Sequence, residues 1–213
     1  MVYYKHDSGK RSVASLPPEG DMLNAFANAL RRVERTKTFE QITVREIVQE
    51  AGYSSRTFYN HFRSKYDLVF WNYAAADYAY LEGMSADFAG STFPDRVLRG
   101  LERLEADRAL FQGAFRDWIG PESLCMTLVR HGVAVIPDYI RRRHGAAAVS
   151  DEVARLVRFY VEGVVSELAL WIAAPSPMPA KKFRDFLITA MPAPLCGLLL
   201  SASKSKPSRR RPR

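Results

Sequence analysis

The apolar and polar positions in residues 43–65 follow the pattern of two short helices joined by a tight turn. The apolar residues of the first helix fall at i, i+3, i+4 and i+7, which is the spacing of one helical face. They are Val44, Ile47, Val48 and Ala51. Thr43, followed three residues later by Glu46, predicts a capping box at the helix start. Gly52 predicts its end, because glycine accepts the left-handed conformation that often terminates a helix.

The second helix of the pair is polar and basic on its predicted outer face. Ser54 or Ser55 suits its N-cap, and Phe58 and Phe62 lie four residues apart, as an inward face requires. The residues left to face outward are Ser55, Arg56, Thr57, Tyr59 and His61. This layout is typical of a helix-turn-helix, whose second helix enters the major groove of DNA. The alternative is a buried helical hairpin in an unrelated all-α protein.

Helical periodicity continues through the rest of the chain, and no segment shows the alternation of a strand. A first helix over 20–36 would brace the helix-turn-helix, and a long helix would run from Lys65 to about Phe88. Further helices are predicted over 94–105, 107–117, 121–143, 150–174 and 179–191, with a kink at Pro137. The sequence therefore predicts an all-α fold of about nine helices, with a three-helix N-terminal domain and a larger helical domain.

The basic charge of the chain is concentrated at its end. The net charge is +8 over 213 residues, but the tail after Ser203 holds six lysines and arginines and no acidic residue. Residues 202–213 are therefore predicted to be a disordered basic tail, and 1–19 a flexible arm. The tail could add salt-sensitive DNA affinity, or it could serve only as a solvated end.

Chemistry other than binding finds little support in the sequence. The four histidines have no metal-ligand spacing with one another or with Cys125 and Cys196, and no phosphate loop or nucleophile motif is present. We therefore expect no enzyme, metal or cofactor. The two distant cysteines fit a reducing compartment. The lack of a secretory signal or of a segment that could span a membrane predicts a cytoplasmic protein.

The helix-turn-helix segment resembles the N-terminal domain of TetR/AcrR-family transcriptional regulators. The residues that carry the resemblance are Thr43, the Ala51-Gly52 turn, the Thr57–Phe62 stretch TFYNHF and the Ser64–Leu68 stretch SKYDL. The string FYNHFRSKYDLV is most similar to the branch that contains dihydroxyacetone-kinase regulators. Arg56 departs from the glycine that most members have. The resemblance implies a DNA-binding domain over 20–66 and an effector-binding and dimerisation domain over 67–201.

The DNA contacts that we expect come from the outward face together with this resemblance. Thr43, Tyr59, His61 and Lys65 are expected at phosphates, and Ser55, Arg56 and Thr57 at base edges. The complete set of expected contacts is Thr43, Ser54, Ser55, Arg56, Thr57, Tyr59, Asn60, His61 and Lys65. The implied partners are a double-stranded DNA operator, a second copy of the chain and an unknown small-molecule effector, with no membrane.

The resemblance also implies an effector pocket and a dimer face in the larger domain. Pocket candidates are Trp71, Tyr78, Met84, Phe88, Phe111, Phe115, Trp118, Met126 and Phe159, each of which could equally be plain core. Dimer candidates are Leu156, Tyr160, Gly163, Val164, Leu168, Trp171, Phe183, Phe186 and Leu187. On periodicity alone, a core within one chain explains the second set as well. We therefore expect a ligand-responsive regulator, most simply a repressor. The alternative is a DNA-binding or interaction protein of the same fold that responds to no small molecule.

Overall fold

Helices account for nearly all of the structure that the computed structural model describes, which is residues 21–73, 92–116 and 120–200. Within those ranges there are ten α-helices, two short 3-10 turns and no strand. The N-terminal helices are α1 (Asp21–Glu34), α2 (Val44–Ala51), α3 (Ser55–His61) and α4, described over 65–73. The others are α5 (Phe93–Ala106), α6 (Arg108–Phe115), α7 (Leu124–His144), α8 (Asp151–Ala173), α9 (Ala180–Thr189) and α10 (Ala193–Leu199). The all-α prediction is confirmed.

The N-terminal domain is organised around the capping signals seen in the sequence. The backbone NH of Thr43 donates to Glu46 Oε2 at 2.9 Å, and the NH of Glu46 donates back to Thr43 Oγ1 at 3.3 Å. Gly52 ends α2 at φ +75°, the left-handed conformation that a side chain disfavours. The predicted start and end of α2 are therefore confirmed.

Three phenylalanines form the centre of this domain. Phe26 of α1 meets Phe58 of α3 edge to face, with ring centroids 5.4 Å apart. Phe58 contacts Phe62 at 5.3 Å, and all three side chains are excluded from solvent. Edge-to-face contacts of this kind stabilise a core beyond the area they bury. They fix the rotation of α3 about its own axis, and so decide which residues face outward.

The larger domain is held by α7 packing along α8. Gly132 of α7 lies so close to Val161 of α8 that an added Cβ would stand 2.8 Å from Val161 Cγ1. Arg108, at the start of α6, closes the far end of α8. Its Nη2 donates to the carbonyls of Trp171 and Ile172 at 3.0 and 2.7 Å, and to that of Ala174 at 2.7 Å. A cation at a helix C-terminus also complements the helix dipole.

Two boundaries differ from the sequence expectation. α10 was not predicted; it begins beside Pro192 and Pro194, since proline is well tolerated in the first turn of a helix. α7 begins three residues later than expected, because Ser123 caps it by accepting from the NH of Met126 at 3.3 Å. The helix continues through Pro137, and its kink stays a prediction. The part of the long helix that was predicted to reach Phe88, the arm and the tail lie outside the described residues.

Candidate nucleic-acid interface

The outer face of α3 presents polar side chains on a rigid support. Phe58 is fully buried beneath the helix, while Ser55, Arg56 and Asn60 are exposed. Tyr59 keeps 50% of its surface in solvent and places its ring 5.5 Å from that of Phe58. A short helix that is held by its buried face and exposes hydrogen-bond donors and an arginine on the other face has the features required of a helix that reads base edges.

Two of the expected contacts take part in capping α3. Ser54 is the N-cap, and its Oγ accepts from the NH of Thr57 at 3.1 Å. The hydroxyls of the two residues also lie 2.8 Å apart. Thr57 is half-buried as a result, and its hydroxyl is already engaged. This leaves Ser55 and Arg56 as the more accessible pair at the start of the helix.

Thr43 forms hydrogen bonds with Glu46 at the start of α2, next to the candidate DNA-binding face. Its hydroxyl donates to Glu46 Oε2 at 2.8 Å, and Lys37 forms an ion pair with the same carboxylate. The hydrogen bonds from Lys37 and from Thr43 hold the pKa of Glu46 at about 2. Glu46 therefore stays ionised at any physiological pH, and the capping box stays closed.

Lys65 occupies a different environment from the one expected. Its Nζ donates to the carbonyls of Phe39 at 2.7 Å, Glu40 at 3.2 Å and Ile42 at 2.9 Å. An ammonium group has three protons, so these acceptors use its whole donor capacity. The expected phosphate contact at Lys65 stays a prediction, and these three bonds weigh against it. Its position in the first turn of α4 was right, but its side chain points at the turn before α2.

Two exposed residues near α3 were not among the predicted DNA contacts. Tyr53 lies in the turn between α2 and α3, with its ring 5.3 Å from Phe26 and 40% of its surface exposed. Arg45 is exposed in the first turn of α2. Both lie outside the outward face of the second helix, from which most of the DNA contacts were predicted. A polar aromatic residue placed directly before an N-cap was the available signal for Tyr53.

A charged cluster lies where α4 meets the larger domain. Asp67 is 5% exposed and accepts from the NH of Arg63, just before the start of α4, at 3.0 Å. Burial raises the pKa of Asp67, with a further contribution from the charge of Glu122, while Arg63 and Arg130 oppose the rise. One residue further along α7, His131 packs on Phe70 of α4. The contact between α4 and the larger domain is therefore polar at Asp67 and aromatic at Phe70.

An open cavity of about 600 Å³ lies along the seam between α7 and α8. Its described lining is Cys125, Met126, Val129, Arg130, Val133, Ala134, Arg158, Glu162 and Val165. Of the expected pocket residues, Met126 alone is in this group. Trp71, Phe111 and Phe115 are buried in the core. Phe159 is 75% exposed and is not part of the cavity lining, so it is corrected from pocket to surface. Tyr78, Met84, Phe88 and Trp118 lie outside the described residues.

The expected dimer residues divide between core and surface. Tyr160, Leu168, Trp171, Phe183 and Leu187 are buried within one chain. The hydroxyl of Tyr160 donates to the carbonyl of Leu187 at 2.7 Å, for example, which ties α8 to α9. These five are corrected from interface to core, the alternative that periodicity had left open. Leu156 and Val164 are half-buried, Gly163 is exposed and Phe186 is 44% exposed.

Membrane-spanning helices and metal-binding clusters are both absent from the described part of the chain. None of its helices is both long and apolar enough to cross a bilayer. In the same residues, no group of three or more histidine, cysteine or acidic side chains could hold a metal ion.

Comparison with known proteins agrees with the geometry of the first domain. Residues 28–70 match the family model described as bacterial regulatory proteins, tetR family. Among solved structures, the chain is similar to one titled dihydroxyacetone kinase operon activator DhaS, with a TM-score of 0.51 and 18% identity. That similarity covers 84% of this chain and 98% of the other, and at this identity it shows the fold alone. No curated protein sequence matches the chain.

Proposed function

Because the N-terminal domain of this chain belongs to the tetR family of bacterial regulatory proteins, we propose that the protein is a sequence-specific transcriptional regulator that binds its operator as a dimer. The observation that supports this proposal is the outer face of α3, where Ser55, Arg56 and Tyr59 are exposed above a buried phenylalanine core. Ser55 and Arg56 would reach base edges, and Tyr59, with Thr43 and His61 beside it, would reach phosphates. Base contacts would supply specificity, and phosphate contacts would set register and affinity.

The proposed dimer uses the exposed apolar stripe of α8, which we define as Phe159, Gly163 and Leu170. Phe159 is 75% and Leu170 is 64% exposed, unusually high fractions for large apolar side chains that lie on the same face of a helix. On α9, Phe186 adds a further exposed aromatic ring and stacks on Phe183, with centroids 6.1 Å apart. A second copy related by a two-fold axis would bury this stripe against itself. Two recognition helices would then read a near-palindromic site.

The cavity between α7 and α8 is the proposed effector site. Its volume lies in the range typical of ligand pockets, and its walls are mainly aliphatic, with Arg130, Arg158 and Glu162 at the polar positions. This lining fits a small amphipathic molecule. Binding would shift the population between conformers with different affinities for DNA. We propose a repressor whose DNA affinity changes on ligand binding, acting in the cytoplasm as a binding protein and not as an enzyme.

Selection of bound sequences from random duplex DNA at near-physiological salt tests this proposal. An enriched near-palindrome is the expected result. Retention without enrichment, together with a steep loss of affinity on adding salt, would favour the alternative of a nonspecific DNA-binding protein. No retention at all would contradict a role in DNA binding. The control is Arg56→Ala, which should retain DNA in general while losing part of the sequence preference.

A further inference from the structure

The turn between α1 and α2 touches three separate elements at once. It is the short 3-10 helix Phe39–Gln41, here called the hinge turn, and it ends just before Thr43, the N-cap of α2. The backbone NH of Thr38 donates to Gln41 Oε1 at 3.1 Å, which closes the turn on itself. Because only Ile42 separates the hinge turn from Thr43, any displacement of the turn moves the start of α2.

Lys65 fastens the hinge turn to the start of α4. Its ammonium donates to the carbonyls of Phe39 and Glu40 in the turn and of Ile42 just after it, and it lies 4.5 Å from the ring centroid of Phe39. The neighbouring Tyr66 packs edge to face on that same ring at 5.3 Å. Hydrogen bonds to a charged donor in a half-buried site are among the stronger ones in proteins. Turn and helix should therefore move together.

The larger domain reaches the same turn through α6. Gly113 packs so closely on Phe39 that an added Cβ would stand 2.5 Å from Phe39 Cβ. At the C-terminal end of α6, Arg116 Nη1 pairs with Glu40 Oε1 at 2.9 Å. Carbon atoms of packed groups normally lie about 3.5–4.0 Å apart, so one methyl group at Gly113 would have to open this contact by about 1 Å.

We propose that the hinge turn is the joint through which α6 sets the position of α2 and α3 on DNA, with Lys65 as a positioning residue in it and not a phosphate ligand. This rests on the proposed function as a DNA-binding regulator. Glycine is needed at Gly113 because a side chain there would push Phe39, and with it the cap of α2, away from α6. A shift of α6 caused by events in the larger domain would be transmitted by the same contact.

The first test compares two glycine-to-alanine variants in full-length protein. Gly113→Ala opens the hinge contact, whereas Gly132→Ala introduces a similarly close contact with Val161 between α7 and α8, away from the hinge turn. Affinity for a duplex obtained by selection with the wild-type protein is measured by fluorescence anisotropy, and stability by urea unfolding. Gly113→Ala should change the affinity about five- to tenfold or more, while Gly132→Ala leaves it near the wild-type value. Equal changes of DNA affinity in the two variants, or no change in Gly113→Ala, would overturn the proposal that the hinge turn sets the position of α2 and α3.

The second test remains informative if Gly113→Ala does not fold. Lys65→Met keeps an unbranched side chain that is one atom shorter but removes the charge and the three hydrogen bonds, and its DNA affinity is measured across a salt series. A positioning residue should weaken binding without changing the slope of log affinity against log salt. A phosphate ligand should reduce the magnitude of the slope by about 0.9 for each copy of the chain, or about 1.8 for the dimer, and that result would overturn the assignment. If wild-type protein enriches no sequence in the selection, the proposed function fails before the joint is tested.

Discussion

His131 gives the clearest quantitative prediction about how the two domains are held together. It lies on α7 with its ring 4.9 Å from that of Phe70 on α4. Burial lowers the pKa of His131 from 6.5 to about 4, because the charged imidazolium is poorly solvated there. Between pH 6.5 and 4, His131 is therefore protonated in the unfolded chain but mostly neutral in the folded chain. Stability from this group is complete above pH 6.5 and declines as the pH falls towards 4.

The size of the effect follows from the difference between the two pKa values. At about 1.4 kcal/mol for each pH unit, a fall from 6.5 to about 4 corresponds to about 3 kcal/mol for full burial. The residue keeps part of its surface accessible, so water relieves some of this cost. We therefore expect wild-type protein to lose about 2 kcal/mol of unfolding free energy between pH 7 and 4.5 through His131 alone.

Urea unfolding followed by circular dichroism at several pH values measures this loss. The control is His131→Gln, which cannot titrate but leaves the other ionisable groups in place. Between pH 7 and 4.5, the unfolding free energy of the wild-type protein should fall by about 2 kcal/mol relative to that of His131→Gln. If the two stability curves run parallel from pH 7 to 4.5, His131 does not change its protonation on unfolding and the reasoning is refuted.

Three further predictions concern the cap, the base contact and the dimer. Thr43→Ala should lower the unfolding free energy by about 1 kcal/mol in urea, while Thr43→Ser, which keeps the capping hydroxyl, should not; equal losses would refute the capping role. Arg56→Ala should reduce affinity for the selected site by about 1–3 kcal/mol and relax specificity at one position, and a uniform loss on all sequences would indicate a phosphate contact instead. Phe159→Lys should give a monomer in sedimentation velocity, whereas Ala154→Lys, at an exposed position off the stripe, should not; an intact Phe159→Lys dimer would contradict the proposed interface.

Local signals in the sequence were sufficient for the DNA-binding domain. The capping pair Thr43 and Glu46, the end at Gly52 and the inward pair Phe58 and Phe62 act within one or two turns. Backbone geometry and periodicity therefore specify them without reference to the rest of the chain. The predicted helix-turn-helix is found where the sequence put it for this reason.

Contacts between distant segments were beyond the same reasoning. Nothing near Lys65 indicates that carbonyls more than twenty residues upstream converge on its ammonium. The stripe containing Tyr160 and Leu168 has the right period for burial, but a period does not reveal whether the partner is α9 of the same chain or a second copy. The exposed stripe with Phe159 became visible only when the buried face of α8 was known.

Methylation interference on the selected duplex is the measurement that tests the central claim most directly. Methylation of guanine N7 blocks major-groove contacts, so a dimer that inserts two copies of α3 should show interference in two half-sites about one helical turn, 34–36 Å, apart. Arg56→Ala should abolish interference at the same position in each half-site. Interference confined to one site, or none in the major groove, would contradict the account.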